Sequence, residues 1–381
     1  MSRRTFRVGT FNLCNLALPN QVFYKREVYT PEEYARKISW VAGQLDQLQA
    51  DLIGFQEVFH AEALQQALQQ SQTCQDLHLV VGKPIEDTPA VALASRFPIL
   101  SHRFIRAFPA AARLEVQGAE IPLTHFSRPI LSARLRLTDR IECTVFVVHL
   151  KSKRPIVPDH LDRHDPIEKA KGQARSLILR AAESIALRVL LMEVLRDRDH
   201  PVIVLGDMND GGAAVTSQLI SGEPPHRKLE TEHKRKIWDV LLYHVKDIQA
   251  RQSFSDVYYT HIHNGRYESL DHIMVSQEFV TQNPDRIGRV VYVSVLNDHL
   301  IDETLSSEDI PKWQSDHAQV VASIDLERPP SRPTPSRKMK VSVQSRREVR
   351  SNHRAEQYAE ETVIQIEEQV GSDDRTTKDK G

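Results

Sequence analysis

Short apolar runs, each ending in a carboxylate, amide or imidazole, recur along the first two thirds of the chain, and this pattern constrains the fold more than any other feature. VGTF leads into Asn12, DLIGFQ into Glu57, VFVV into His149, and VIVLG into Asp207 and Asn209. Runs of this length, rich in Val, Ile and Phe and bounded by turn formers, read as buried strands. LHLVVG, AVALAS, ILSARLRL and LDHIMVS read the same way. Helical patterns lie between them. Thr30, Pro31 and Glu33 form a capping-box start, followed by Tyr34, Ile38, Val41, Leu45 and Leu48 at spacings of three and four. A second long helix is predicted from about Pro166 to Arg198, with Leu177, Ala181, Ile185, Val189 and Met192 on one face. Strands interleaved with helices, with no internal repeat, predict an α/β domain.

In such sheets ligands bind at the C-terminal ends of strands, where loops depart and side chains converge without entering the sheet. Any one of these polar residues alone could close a turn by hydrogen-bonding nearby backbone. Four strands that each deliver one point to a shared site. Asp271 in SLDHIMVS and the pair Asp316-His317 in QSDHAQVVAS adjoin further apolar runs.

The chain has 381 residues, 40% of them apolar, enough for a sizeable core. From Arg328 onward the composition turns to Pro, Ser and Arg with few large apolar residues, which predicts a catalytic body over 1–327 and a disordered charged tail over 328–381. The tail holds 12 basic and 9 acidic residues, so the body keeps 38 against 42 and is mildly acidic. A broad basic face in the body is excluded. The tail either contacts nucleic acid or an acidic partner, or is a solvated extension. Cys14, Cys74 and Cys143 are too few and too scattered for a disulfide framework or a zinc site. With no apolar run of membrane-spanning length and no signal-peptide pattern, the expected location is cytoplasmic.

The polar set has a chemical logic. Hard oxygen ligands without a thiolate cluster suit Mg²⁺ or Mn²⁺. Glu57 is the natural anchor, Asp207 can polarise an attacking water, and Asn209 can hold it or a phosphate oxygen. His149 and His317 can supply charge to a developing oxyanion. These are parts for metal-assisted displacement at phosphorus.

TFN at Asn12, GFQEV at Glu57, ALASRFPI at Ser95 and Arg96, VVHLKSK at His149, GDMND at Asp207 and Asn209, SLDHI at Asp271 and SDHA at Asp316 and His317 together resemble the endonuclease/exonuclease/phosphatase superfamily, in consistent order over about residues 6–325. The resemblance implies a four-layer α/β/β/α sandwich, two mixed sheets flanked by helices, with a site at one rim. It implies that Asn12 and Glu57 hold the divalent ion, with Asp316 contributing. Asp207 would orient or deprotonate the nucleophilic water, and Asn209 would fix that geometry. His317 would bind the scissile phosphate, oriented by Asp271, and His149 would act near the phosphate or leaving group.

The branch signals separate substrates only coarsely. GDMNDG and SLDHI depart from the blocks usual in inositol-polyphosphate phosphatases, and LDHI departs from the LDYF-like residues of base-excision endonucleases. HLKSKRP resembles the corresponding stretch of bacterial nuclease-like members. Lys151, Lys153 and Arg154 then either place positive charge beside the phosphate or form a solvated loop; Arg96 is a further substrate-binding candidate. The expected activity is a nuclease acting on DNA or RNA. The alternatives are a phosphatase or phosphodiesterase for a small molecule or lipid headgroup, and a non-catalytic binding module of the same fold. His160 and His164 are not expected to bind metal, His261 and His263 read as paired or solvent-exposed rather than ligating, and Trp40, Trp238 and Trp313 read as core rather than stacking platforms.

Overall fold

The computed structural model describes residues 5–327, apart from 25, 86–87, 197–199, 227, 251–257, 264–265 and 303–309. The expected tail over 328–381 lies outside the described residues. The twelve main strands are β1 (Thr5–Leu16), β2 (Leu52–Val58), β3 (His78–Val81), β4 (Ala90–Ser95), β5 (Ile99–Ala107), β6 (His125–Thr138), β7 (Ile141–His149), β8 (Val202–Asp207), β9 (Leu242–His244), β10 (Asp271–Ser276), β11 (Gly288–Leu296) and β12 (Gln319–Leu326). They form two six-stranded mixed sheets, ordered β11-β12-β1-β2-β4-β3 and β9-β10-β8-β7-β6-β5.

Each sheet has one parallel pair at its centre, β1 with β2 and β7 with β8, and antiparallel neighbours outside it. The alternation of side chains along these strands builds the layers. Val145 and Val147 point between the sheets, where they meet Leu52, Leu93, Ile203, Leu205 and Val320. Phe146 and Val148 point outward, where they meet Leu187, Leu190 and Leu191 of helix α3 (Pro166–Leu195). On the other sheet, Phe11, Ile53 and Phe55 point outward against Ile38, Val41 and Leu45 of α1 (Pro31–Leu48) and Leu64 of α2 (Ala61–Gln70). The result is the expected helix, sheet, sheet, helix order. No helix among the described residues is long and apolar enough to cross a membrane.

α1 starts at Thr30 with the capping box in place, Thr30 Oγ1 accepting from Glu33 N at 3.2 Å and Glu33 Oε2 from Thr30 N at 2.9 Å. α3 differs from its expected face. Leu177 is half exposed, and the buried side presents Ser176, Arg180, Glu183, Leu187 and Leu190. Hydrogen bonding overrides hydrophobicity there: the two Glu183 carboxylate oxygens accept from the backbone N–H groups of Ser127 and Lys151, both at 2.7 Å. An apolar residue at that position would strand two donors. β5 and β11 were not among the strands expected; Ile99–Ala107 and Gly288–Leu296 each lie at or next to a sheet edge and carry exposed residues at most positions of β5. Trp40 packs edge-on against Phe11 at 5.9 Å, whereas Trp238 is 36% exposed and is not core.

The two sheets pack closely at Gly54, where a Cβ would stand 1.8 Å from Leu205 Cδ1 and 3.0 Å from Val147 Cγ1. Gly54→Ala should therefore destabilise the domain by about 1–3 kcal/mol, as overpacking does. The urea midpoint should fall without a change in slope. Adding Leu205→Val should restore part of the loss, and strictly additive effects would contradict a direct clash.

Candidate functional site

Because both central pairs run parallel, their C-terminal ends reach the same rim. The regular pairing of β1 with β2 breaks after Asn12, where β2 places Gln56 opposite it with Glu57 next in line. β7 and β8 place His149 directly opposite Asp207. β10 runs the other way, so its first residue, Asp271, pairs with Asp207 on the opposite side. His317 arrives two residues before β12, in a bridge to His261.

Asp207 Oδ2 is the centre of the cluster. Asn12 Nδ2 donates to it at 3.2 Å, and His149 Nε2 and His317 Nε2 stand 3.4 and 4.0 Å away. The other oxygen, Oδ1, accepts the backbone N–H of Asn209 at 2.8 Å. Asn209 Nδ2 in turn donates to the Leu150 carbonyl at 3.0 Å, which ties the loops after β7 and β8 together. Glu57 lies 3.9 Å from His149 and takes one long bond, 3.5 Å, from Asn12 Nδ2. Ser315, fully buried, donates to the Asn12 carbonyl at 2.8 Å and accepts from His317 N at 3.0 Å, fixing the SDHA segment to the end of β1.

The electrostatics follow from crowding acids in a dry rim. Burial, and then Asp316, push the Glu57 carboxyl above its usual range, with Arg128 and His317 opposing. Burial also raises Asp207, against the pull of His317. Burial works against the His317 imidazolium, but Asp271, bonded to Nδ1 at 2.8 Å, outweighs it together with Asp207 and Asp316 and lifts the ring well above its ordinary value. His149 goes the other way: burial first, then Arg128 and His317, holds it well below its usual range, so the ring is neutral. The two histidines thus differ in charge because only one has a carboxylate partner in hydrogen-bond contact.

This set fits a hard divalent ion. Glu57 has a single long donor, and one buried oxygen of Asp271 has no hydrogen-bond partner. Asp207, Asp271 and His317 bring ligand atoms within 4.8 Å of one another, as do His261, Asp316 and His317. Glu57 and Asp316 would hold such an ion through oxygen.

One expectation needs correction. Arg96 is not at this rim: Ser95 pairs with Leu52 at the start of β2, about 16 Å of strand from Glu57. Arg96 bonds Asp51 there through Nε at 2.9 Å and the Thr73 carbonyl at 3.1 Å, an ion pair that closes the far end of the sheet. Asn12 shows the carboxylates its nitrogen, while its oxygen accepts from Cys14 N at 3.0 Å. Two acids facing each other recruit a donor, and the amide bridges them.

The loop after His149 is more tied down than its charge suggested. Lys151 Nζ bonds Ser152 and the Arg154 carbonyl, and burial and then Arg128 lower it to about 8. Lys153 pairs with Glu268 at 2.8 Å, and Arg154 is exposed. His160 and His164 are exposed. Cys14 is raised well above the usual thiol range by burial, then by Asp316 and Glu57, so it is no ready thiolate.

Three site residues escaped the sequence reading. His261, expected only to pair with His263 or face solvent, lies with its ring 4.7 Å from that of His317 at a 30° tilt and meets the Asp316 carbonyl through Nδ1 at 2.9 Å. Lys37, completely buried, donates to the Cys14 carbonyl at 2.8 Å from inside α1. Arg128 reaches the rim from β6, donating to the same Leu150 carbonyl as Asn209, at 3.4 Å. The readable strand ILSARLRL begins just after it; a lone arginine ahead of an apolar strand antiparallel to the His149 strand was the available signal.

Residues 9–317 match the family model described as Endonuclease/Exonuclease/phosphatase family. The chain belongs to this family. Its members hydrolyse phosphodiester bonds with divalent metals. A search of curated proteins returns no match. Among solved structures, a D. rerio TDP2 humanized by 14 mutations is 15% identical, with 85% of this chain and 100% of that chain covered and a TM-score of 0.51. Truncated Caenorhabditis elegans TDP2 is 12% identical over 84% and 98%, at 0.50. D. rerio TDP2 complexed with single strand DNA product is 14% identical over 85% and 100%, at 0.50. At these identities the likeness is one of fold.

The Asp271–His317 bond sets a testable charge. In Asp271→Asn the ring loses its nearest charge partner, so its pKa should fall toward or below the ordinary 6.5. By ring-proton NMR, the wild-type imidazolium should persist above that pH, while the variant should lose it on the acid side. An unshifted titration would remove Asp271 as the cause.

Proposed function

We propose that the protein cleaves phosphodiester bonds of nucleic acid by in-line attack of a water, using Mg²⁺ or Mn²⁺. The observation that carries this reading is the placing of one buried carboxylate oxygen, Asp207 Oδ2, within 4.0 Å of the neutral His149 and the cationic His317. A bound divalent ion supplies polarisation of a phosphoryl oxygen and neutralises charge at the rim. Glu57 and Asp316 would hold it, and Asn12 would keep Glu57 and Asp207 in register.

The remaining roles follow from hydrogen-bond directions. Asn209 N–H occupies Asp207 Oδ1, leaving Oδ2 to orient a water and accept its proton. The raised Asp207 carboxyl makes it a better base than an exposed aspartate. His317, fixed through Nδ1 by Asp271, presents Nε2 to a phosphoryl oxygen, where its positive charge stabilises the gathering negative charge. His149, held neutral by burial and by the Arg128 and His317 charges, serves as a neutral hydrogen-bonding group. Arg128, Lys151 and Arg154 add positive charge around a centre that would otherwise repel a polyanion. The fold it shares with a TDP2 complexed with single strand DNA product supports a nucleic-acid substrate.

Incubation with labelled DNA and RNA in Mg²⁺, Mn²⁺ and EDTA should show cleavage only with metal. If strands stay intact while small phosphodiesters or lipid headgroup phosphates are hydrolysed, the small-substrate reading replaces this one; if nothing is hydrolysed, the domain is a binding module. His317→Ala should lower kcat by about 10²-fold or more. Glu57→Gln should weaken metal dependence as well as rate, measured by titrating Mg²⁺ against activity.

A further inference from the structure

The segment between β1 and α1 contains a feature that the catalytic set does not use. Phe23 and Glu27 exchange backbone hydrogen bonds at 2.9 Å each, closing a tight turn. Tyr24, inside it, has φ +46°, a left-handed conformation that bulky residues adopt only under constraint. Its neighbours Phe23, Tyr29 and Phe59 form a buried aromatic cluster, with Phe23 stacked on Tyr29 at 5.1 Å. Tyr24 stands edge-on to Phe59 at 5.2 Å and keeps 38% of its surface exposed. Burial, and then Glu57, raise its hydroxyl, while the nearby Arg128 charge opposes them.

Arg128 has an equally unusual setting. It shares the Leu150 carbonyl with Asn209, and its buried Nε has no hydrogen-bond partner. Among the cations at this rim, Lys153 is engaged by Glu268 and Lys151 by its own loop, whereas Arg128 donates one long bond, to the Leu150 carbonyl, and lies near Tyr24. A guanidinium thus stands beside the acidic centre with donors to spare, next to a strained, exposed aromatic ring braced from behind.

We infer that Tyr24 and Arg128 form a substrate subsite in which the tyrosine ring stacks on an unpaired nucleobase and the guanidinium binds the phosphate joined to it. The inference rests on the proposed nucleic-acid reading and narrows it to strands with an unstacked base beside the cleaved bond. A paired base offers no free face to the ring, so a duplex would have to fray first. Strain at Tyr24 makes sense on this basis: a glycine would relax the turn but remove the face.

Binding separates this subsite from catalysis. In the full-length Asp207→Asn protein with Mg²⁺, fluorescence anisotropy should show a short labelled single strand bound more tightly than an abasic strand of equal length. Adding Tyr24→Ala should weaken the base-bearing strand about five- to a hundredfold and leave the abasic strand unchanged. Tyr24→Phe should keep most of the affinity, and Tyr24→Gly, which suits the left-handed backbone, should bind as poorly as the alanine variant while being more stable to heat. Arg128→Met should weaken both strands and flatten the salt dependence by about one phosphate contact. Equal affinities of the Tyr24→Ala and parent proteins for the base-bearing strand, or no binding of strands at all, would overturn the subsite. Tyr24-dependent binding by a wild-type protein that cuts no strand would keep it and remove the hydrolytic reading instead.

Discussion

Two parallel strands lying side by side must end at the same edge of their sheet, and most of the functional geometry follows from this constraint. Here it operates twice. β1 with β2 brings Asn12 and Glu57 to one rim, and β7 with β8 brings His149 and Asp207. Packing the sheets face to face then superposes the two edges, with Gly54 letting them approach. The antiparallel neighbours β10 and β12 start where the parallel strands stop, so Asp271 and His317 arrive at the same place from the opposite direction. Residues separated by as many as 303 positions, Asn12 and Ser315, are thereby hydrogen-bonded.

Once assembled, the rim is electrostatically unbalanced. Four acids, Glu57, Asp207, Asp271 and Asp316, crowd together against fewer cations, chiefly His317, Arg128 and Lys37, and burial raises the carboxyls of Glu57 and Asp207. The fold answers in part with donors: Asn12 spans two acids, and Asn209 caps a third oxygen. Yet one oxygen of Asp271 remains without a partner. A structure that keeps unsatisfied acids in a dry pocket is arranged for a cation, because the same cluster without one costs desolvation that nothing repays.

The sequence made the apolar strands and their polar ends legible because both are local: composition over five or six residues, then one conspicuous side chain. Glu57, His149, Asp207 and His317 were found this way. What failed was non-local. Arg96 follows the strand AVALAS as Glu57 follows DLIGFQ, but β4 runs antiparallel to β2, so the same pattern places it at the far end, against Asp51. Nothing in the local sequence states strand direction. Glu183 and Arg180 look like the wet side of a helix and are buried, since their partners, the backbone of residues 127 and 151, lie on other elements. Arg128 and His261 were missed for the same reason: each is an unremarkable residue until the sheet brings it to the centre.

Backbone strain marks the rim independently of the side-chain chemistry. Of the eight described non-glycine residues with positive φ, Cys14, Asn15, Tyr24, Glu57 and Asn209 lie in or beside the site. At Glu57 the left-handed turn sits within a register shift between β1 and β2, a bulge that lets an acid point off the end of the strand instead of into a sheet face. Cys14 and Asn15 are held by the Lys37 ammonium on the Cys14 carbonyl, a buried charge inside a helix that its own burial disfavours. A chain free to relax would keep neither the twisted backbone nor the buried lysine. Both are kept because the strand must bulge abruptly after Asn12, so that Asn12 faces the acids before pairing with β2 resumes at Leu16. Strain and buried charge are therefore concentrated where the polypeptide changes from a packed strand to a set of converging side chains.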